Sequence, residues 1–71
     1  MYQKVILMHR TALSYLVIKR HDDYIKIESK DRNKPQFHKV SILKVSPYID
    51  VKGLTEFYKH NNYVEVISIG Q

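Results

Sequence analysis

The chemistry open to this 71-residue chain lies in four histidines, six tyrosines and twelve Lys and Arg, because there is no cysteine at all. His9, His21, His38 and His60 are widely spaced and have no thiolate partners, so they make no zinc pattern. Two glycines, Gly53 and Gly70, cannot build a phosphate-cradling loop, and there is no His-Glu-x-x-His helix. A serine or cysteine triad has no signature to start from. Asp22-Asp23 is the only acidic pair, and adjacent residues of an extended strand point to opposite faces, so it reads as a solvated turn and not a metal site. No cofactor and no metal are expected. Metal-free RNA cleavage uses His, Tyr, Lys and Arg to move protons and steady phosphorane charge. His9 with Arg10, His21 and His60 are the positions that could converge for it, yet each is more simply a surface side chain.

A face makes a better site than any catalytic set. Residues 13–29, LSYLVIKRHDDYIKIES, read as a β-hairpin: residues 23–28 alternate polar and apolar with period two, and the preceding limb is rich in β-branched and aromatic residues. Pairing Ile18 with Ile25 and Leu16 with Ile27 puts four aliphatics on one face and Arg20 opposite Asp23, whereas the competing register sets Lys19 directly against Lys26. The first is expected, closed by a four-residue loop over residues 20–23 on a type I turn, since a primed turn wants Gly or Asn. The opposite face then carries Tyr15, Val17 and Lys19 beside Tyr24, Lys26 and Glu28. Aromatics among lysines on an open sheet can stack bases and hold phosphates. Lys30, Arg32 and Lys34, in the polar segment 29–36 with Pro35, add a basic loop that can track a phosphate backbone. Glu28 counts against this face, and tyrosines favour strands whatever they bind.

These residues need elements to position them. Residues 2–8 read as a first strand, interior because Val5, Ile6, Leu7 and Met8 are apolar on both faces. Residues 37–45 make a strand expected to pair antiparallel with the second hairpin limb, ended by Ser46-Pro47. Tyr48, Val51, Leu54 and Tyr58 recur near a 3.6 period. Because Gly53 inside a helix costs up to about 1 kcal/mol, Asp50 is preferred over Ser46 as N-cap, giving a helix over 51–60 with a left-handed exit at Asn61-Asn62. Residues 63–69 form the last strand. The fold class is α+β in one domain, residues 1–71: a mainly antiparallel sheet of about five strands with one short helix before the last. One helix covers one face, so Met8, Tyr15, Val17 and one side of the last strand must be hidden either by curling into a partly closed barrel or by a second subunit, a homodimer.

Composition sets the partner. Without cysteine, stability comes from aliphatic packing. The longest run lacking Lys, Arg, Asp, Glu and His is residues 11–18, short of the roughly 20 apolar residues of a membrane span. With no leader pattern, the chain reads as complete, cytoplasmic and not membrane-bound. A net charge of +5 favours polyanions. The first reading is therefore a small basic binding protein, not an enzyme, that contacts nucleic acid through Tyr15, Lys19, Tyr24, Lys26, Lys30, Arg32 and Lys34. The second is a protein-binding inhibitor or adaptor, such as an accessory protein of a virus or mobile element. A metal-independent ribonuclease or toxin ranks third.

Overall fold

In the computed structural model, which describes residues 3–34, 36 and 38–70, the anticipated alternation resolves into β1 (Gln3–His9), β2 (Ser14–Arg20), β3 (Tyr24–Asp31), β4 (His38–Lys44), α1 (Val51–Lys59) and β5 (Tyr63–Ile69). Tyr2 and Phe37, expected to open the first and fourth strands, and Pro35 of the basic loop lie outside the described residues. The strands form one sheet in the order β4-β3-β2-β1-β5, with every neighbouring pair antiparallel. β1 is interior, as its two-sided apolar run requires, and β4 pairs with β3.

The hairpin has the expected faces but not the expected register. Ile18 pairs with Ile27 and Arg20 with Ile25, so Lys19 stands directly opposite Lys26. Relative to the pairing of Ile18 with Ile25, the shift is two residues, and an even shift leaves every side chain on its own face. The charge conflict that argued against this register is relieved by Glu28, which lies 3.5 Å from Lys19 and 3.7 Å from Lys26. The connection is residues 21–23, not the expected four-residue loop over 20–23, because Arg20 stays in β2 and pairs with Ile25. The His21 amide donates to the Tyr24 carbonyl at 2.9 Å, and neither Asp22 nor Asp23 takes a positive φ, so the turn is not primed.

Val5, Leu7, Leu16, Ile18, Ile25 and Ile27 fill one sheet face and are covered by Val51 of α1, with Leu54, Tyr58 and Tyr63 packed around them. The helix forms where its cap allows. Asp50, in extended backbone, accepts from the Gly53 amide at 2.7 Å through Oδ1, and a Cβ on Gly53 would stand 3.0 Å from that oxygen. Asn62 supplies the left-handed exit at φ 70°. Tyr48 departs from expectation: it lies in the tight turn that Ser46 and Ile49 close, 94% exposed, and takes no part in the helix. Its agreement with the 3.6 period was coincidence of spacing.

The sheet does not close into a barrel. Closure needs β4 against β5, and these two strands lie at opposite edges of the sheet with no pairing between them. The face away from α1 therefore stays open.

Three substitutions test this packing by urea denaturation. Ile25→Ala, at a fully buried position, should cost about 2–5 kcal/mol, and Asp50→Ala about 0.5–2 kcal/mol. Tyr48→Ser should stay within about 0.5 kcal/mol; a larger loss there would contradict the placement of that ring.

Candidate nucleic-acid interface on the open face

Because alternate residues of each strand point away from α1, the pairing registers arrange the open face in three rows running across all five strands. The central row is Ile67, Ile6, Val17, Glu28 and Val40. On one side of it runs Ile69, Lys4, Lys19, Lys26 and Ile42. On the other runs Val64, Met8, Tyr15, Lys30 and His38. Cross-strand neighbours in such rows have Cβ atoms about 4.5–5.5 Å apart. Three lysines thus stand shoulder to shoulder, and a tyrosine, a lysine and a histidine do the same one row beyond Glu28.

Glu28 is the hub. It is 7% exposed although no helix covers this face, because the stems of the surrounding lysines lie over it. Its Oε1 meets Lys19 and Lys26, and its Oε2 meets Lys30 at 4.0 Å and His38 Nε2 at 2.9 Å. Burial alone would raise the carboxyl pKa, but Lys26, the His38 hydrogen bond, Lys19 and Lys30 together outweigh it and hold the group below the usual glutamate range. Val17 beside it is buried as well. Three lysines surround this single carboxylate and Lys4 adds a fourth to the face, so a net positive charge remains after pairing.

The seven residues expected to form the site are not all brought together. Tyr15, Lys19, Lys26 and Lys30 share the open face. Arg32 joins them: its amide donates to the Leu13 carbonyl at 2.9 Å, and it lines two clefts with Tyr15. One cleft, of about 400 Å³, holds Tyr15, Lys30, Asp31, Arg32 and His38; the other, of about 300 Å³, holds Ile6, Met8, Tyr15 and Arg32. Tyr24 keeps the parity of Lys26 and Lys30 and so shares the open face, but at the hairpin end, where it stacks on His21 with centroids 4.5 Å apart, beyond the Lys19–Lys26 pair and away from Tyr15. Lys34 is exposed in the turn beyond β3, its amide bonded to the Asp31 carbonyl. Two residues of the face were missed from sequence. Lys4 alternates with Ile6 and Met8, a signal hidden by the unbroken apolar run 5–8, and His38 has its partner on the neighbouring strand.

The histidines grouped for possible cleavage chemistry do not converge. His9 accepts through Nδ1 from the Thr11 and Ala12 amides and holds the β1–β2 connection. His21 is at the other end of β2, and His60 is the C-cap of α1. Among the described residues no group of three or more His, Cys, Asp or Glu has the arrangement of a metal site, and no helix is long and apolar enough to cross a membrane.

The lowered pKa of Glu28 ties stability to pH. A carboxyl that is more acidic folded than unfolded stabilises fully above its unfolded value, near 4.5, and that contribution disappears as pH falls through the folded value. Glu28→Gln should cost about 1–3 kcal/mol at neutral pH and reduce the loss of stability on acidification below pH 4.5. An unchanged acid-unfolding profile in the variant would remove Glu28 from this role.

No family model, curated protein or solved structure matches the chain, so its function is argued from the open face itself.

Proposed function

We propose that this protein binds single-stranded nucleic acid on the open face of its sheet. The observation that supports this most is the placing of two rows, Lys4, Lys19 and Lys26 in one and Tyr15 and Lys30 in the other, on either side of the buried Val17 and Glu28. A lysine row supplies point charges for successive phosphates, independent of sequence. Tyr15, half-buried between two clefts and flanked by Arg32, supplies a ring on which an unstacked base can lie. An open antiparallel sheet with an aromatic on its surface is a platform for splayed bases and offers no helix for a major groove, which favours single strands over duplex. Glu28 fits this reading: it fixes the lysines in place without cancelling their charge. Lys34 and the loop residues add a sequence-independent part at one end of the face.

A protein partner is the second reading, and the rims of the same face favour it. Val40 and Ile42 on β4, and Val64, Ile67 and Ile69 on β5, are all exposed large apolar side chains on edge strands. Such edges can take an added strand from an adaptor target or a second copy. The two readings differ in their response to salt, since phosphate contacts weaken steeply with ionic strength and apolar contacts do not.

Fluorescence anisotropy with short single-stranded RNA and DNA at several salt concentrations tests the first reading. The expected result is salt-sensitive binding, with Lys19→Gln/Lys26→Gln lowering the log–log salt slope by about 1.4, two single-strand contacts at about 0.7 each. The triple change of Lys30, Arg32 and Lys34 to Gln should weaken binding further and similarly for all sequences. Absence of binding at low salt would retire this reading in favour of the second.

A further inference from the structure

Three histidines have a structural place already: His9 in the β1–β2 connection, His21 on Tyr24, and His60 at the end of α1. His38 differs from them. It lies on the open face in the cleft of about 400 Å³ with Tyr15, Lys30, Asp31 and Arg32, and its Nε2 is 2.9 Å from a nearly buried carboxylate. That carboxylate, held ionised by three lysines, favours Nε2 as the protonated ring nitrogen. The lone pair is then left on Nδ1, which has no hydrogen-bond partner among the described residues. This is the arrangement of an oriented general base.

The neighbours of His38 supply what a base alone lacks. In its row, Lys30 stands between His38 on one side and Tyr15 on the other. An in-line displacement at phosphorus places the attacking and leaving oxygens on opposite sides of the atom, and a phosphate seated over Lys30 would have a base on one flank and a phenol on the other. Lys30 and Arg32 carry the positive charge that a phosphorane needs. Asp31 also lines the cleft, with its Oδ1 turned to the Asn33 amide at 2.8 Å.

We propose that this cleft cleaves RNA by internal transphosphorylation; the proposal rests on the single-strand binding reading. His38 Nδ1 takes the proton of a ribose 2′-hydroxyl, and the 2′-oxygen attacks the adjacent phosphorus. The bond from phosphorus to the 5′-oxygen breaks as that oxygen receives the phenolic proton of Tyr15. The products are a 2′,3′-cyclic phosphate and a 5′-hydroxyl. Nothing is oxidised or reduced and no water is consumed; proton exchange with solvent restores the neutral imidazole and the phenol. Glu28 is a positioning residue that acts through the imidazole. DNA, lacking the 2′-hydroxyl, binds and survives.

The test uses a single-stranded DNA oligonucleotide carrying one ribonucleotide, labelled for fluorescence, with chelator present, beside its all-deoxy analogue. The expected result is cleavage at the ribonucleotide, with a cyclic phosphate identified by mass spectrometry on the 5′ fragment. At saturating protein, so that any change in affinity drops out, His38→Asn should lower the rate about 100-fold or more and Tyr15→Phe about 10-fold or more. Glu28→Gln, assayed where circular dichroism shows it folded, should lower kcat about tenfold, a loss separate from any weakening of binding. Binding of the ribo-substrate without cleavage would overturn the proposal and leave the binding reading intact, and cleavage unaffected by His38→Asn would overturn it equally. Failure to bind either oligonucleotide would overturn both.

Discussion

One carboxylate decides how this sheet is put together. Glu28 has few ways to be buried on a face that no helix covers, and the solution is to be surrounded by Lys19, Lys26, Lys30 and His38. A buried charge without such partners would cost several kcal/mol. With them, two lysines can stand directly opposite one another across β2 and β3, a pairing that would otherwise be disfavoured. The charge on the open face is therefore organised, not scattered. Cations are held about a fixed centre, with the ammonium groups of Lys19, Lys26 and Lys30 turned to the Glu28 carboxylate.

The second constraint is that one short helix can cover only one side of five strands. Val51, Leu54, Thr55 and Tyr58 of α1 meet a continuous aliphatic layer on one face, and the chain has nothing left to lay over the other. The segment that carries the helix also joins the two edge strands, which do not pair with one another. What remains is an uncovered sheet, basic and aromatic in the middle and apolar at both rims. The proposed binding and cleavage chemistry both use the middle, while the rims offer themselves to a protein.

Much of the fold was legible because its signals are local. Asp50 with Gly53 three residues on marked the start of α1, and Asn62 its exit. Alternation from Tyr24 to Glu28 assigned side chains to faces correctly even though the register was two residues out, because parity survives an even shift. The misses share a cause: each depended on which residue stood across a strand pair. The opposition of Lys19 and Lys26 looked prohibitive without knowing that Glu28 would sit between their ammonium groups. His38 gained meaning only from Glu28 across β3 and β4, and Lys4 from Lys19 across β1 and β2. The same shift took Tyr24 from its expected place opposite Lys19 and brought Lys30 opposite Tyr15. Closure of the sheet depends on where the edges lie and has no local signature.

The most direct test of the account is to record amide chemical shifts while titrating a short single-stranded RNA bearing a non-reactive 2′-O-methyl backbone. Perturbations should concentrate at Lys4, Tyr15, Lys19, Lys26, Glu28, Lys30, Arg32 and His38 and leave Leu54, Thr55 and Tyr58 of the helix unmoved. Perturbations centred on α1, or confined to the β4 and β5 edges with the central rows silent, would contradict it.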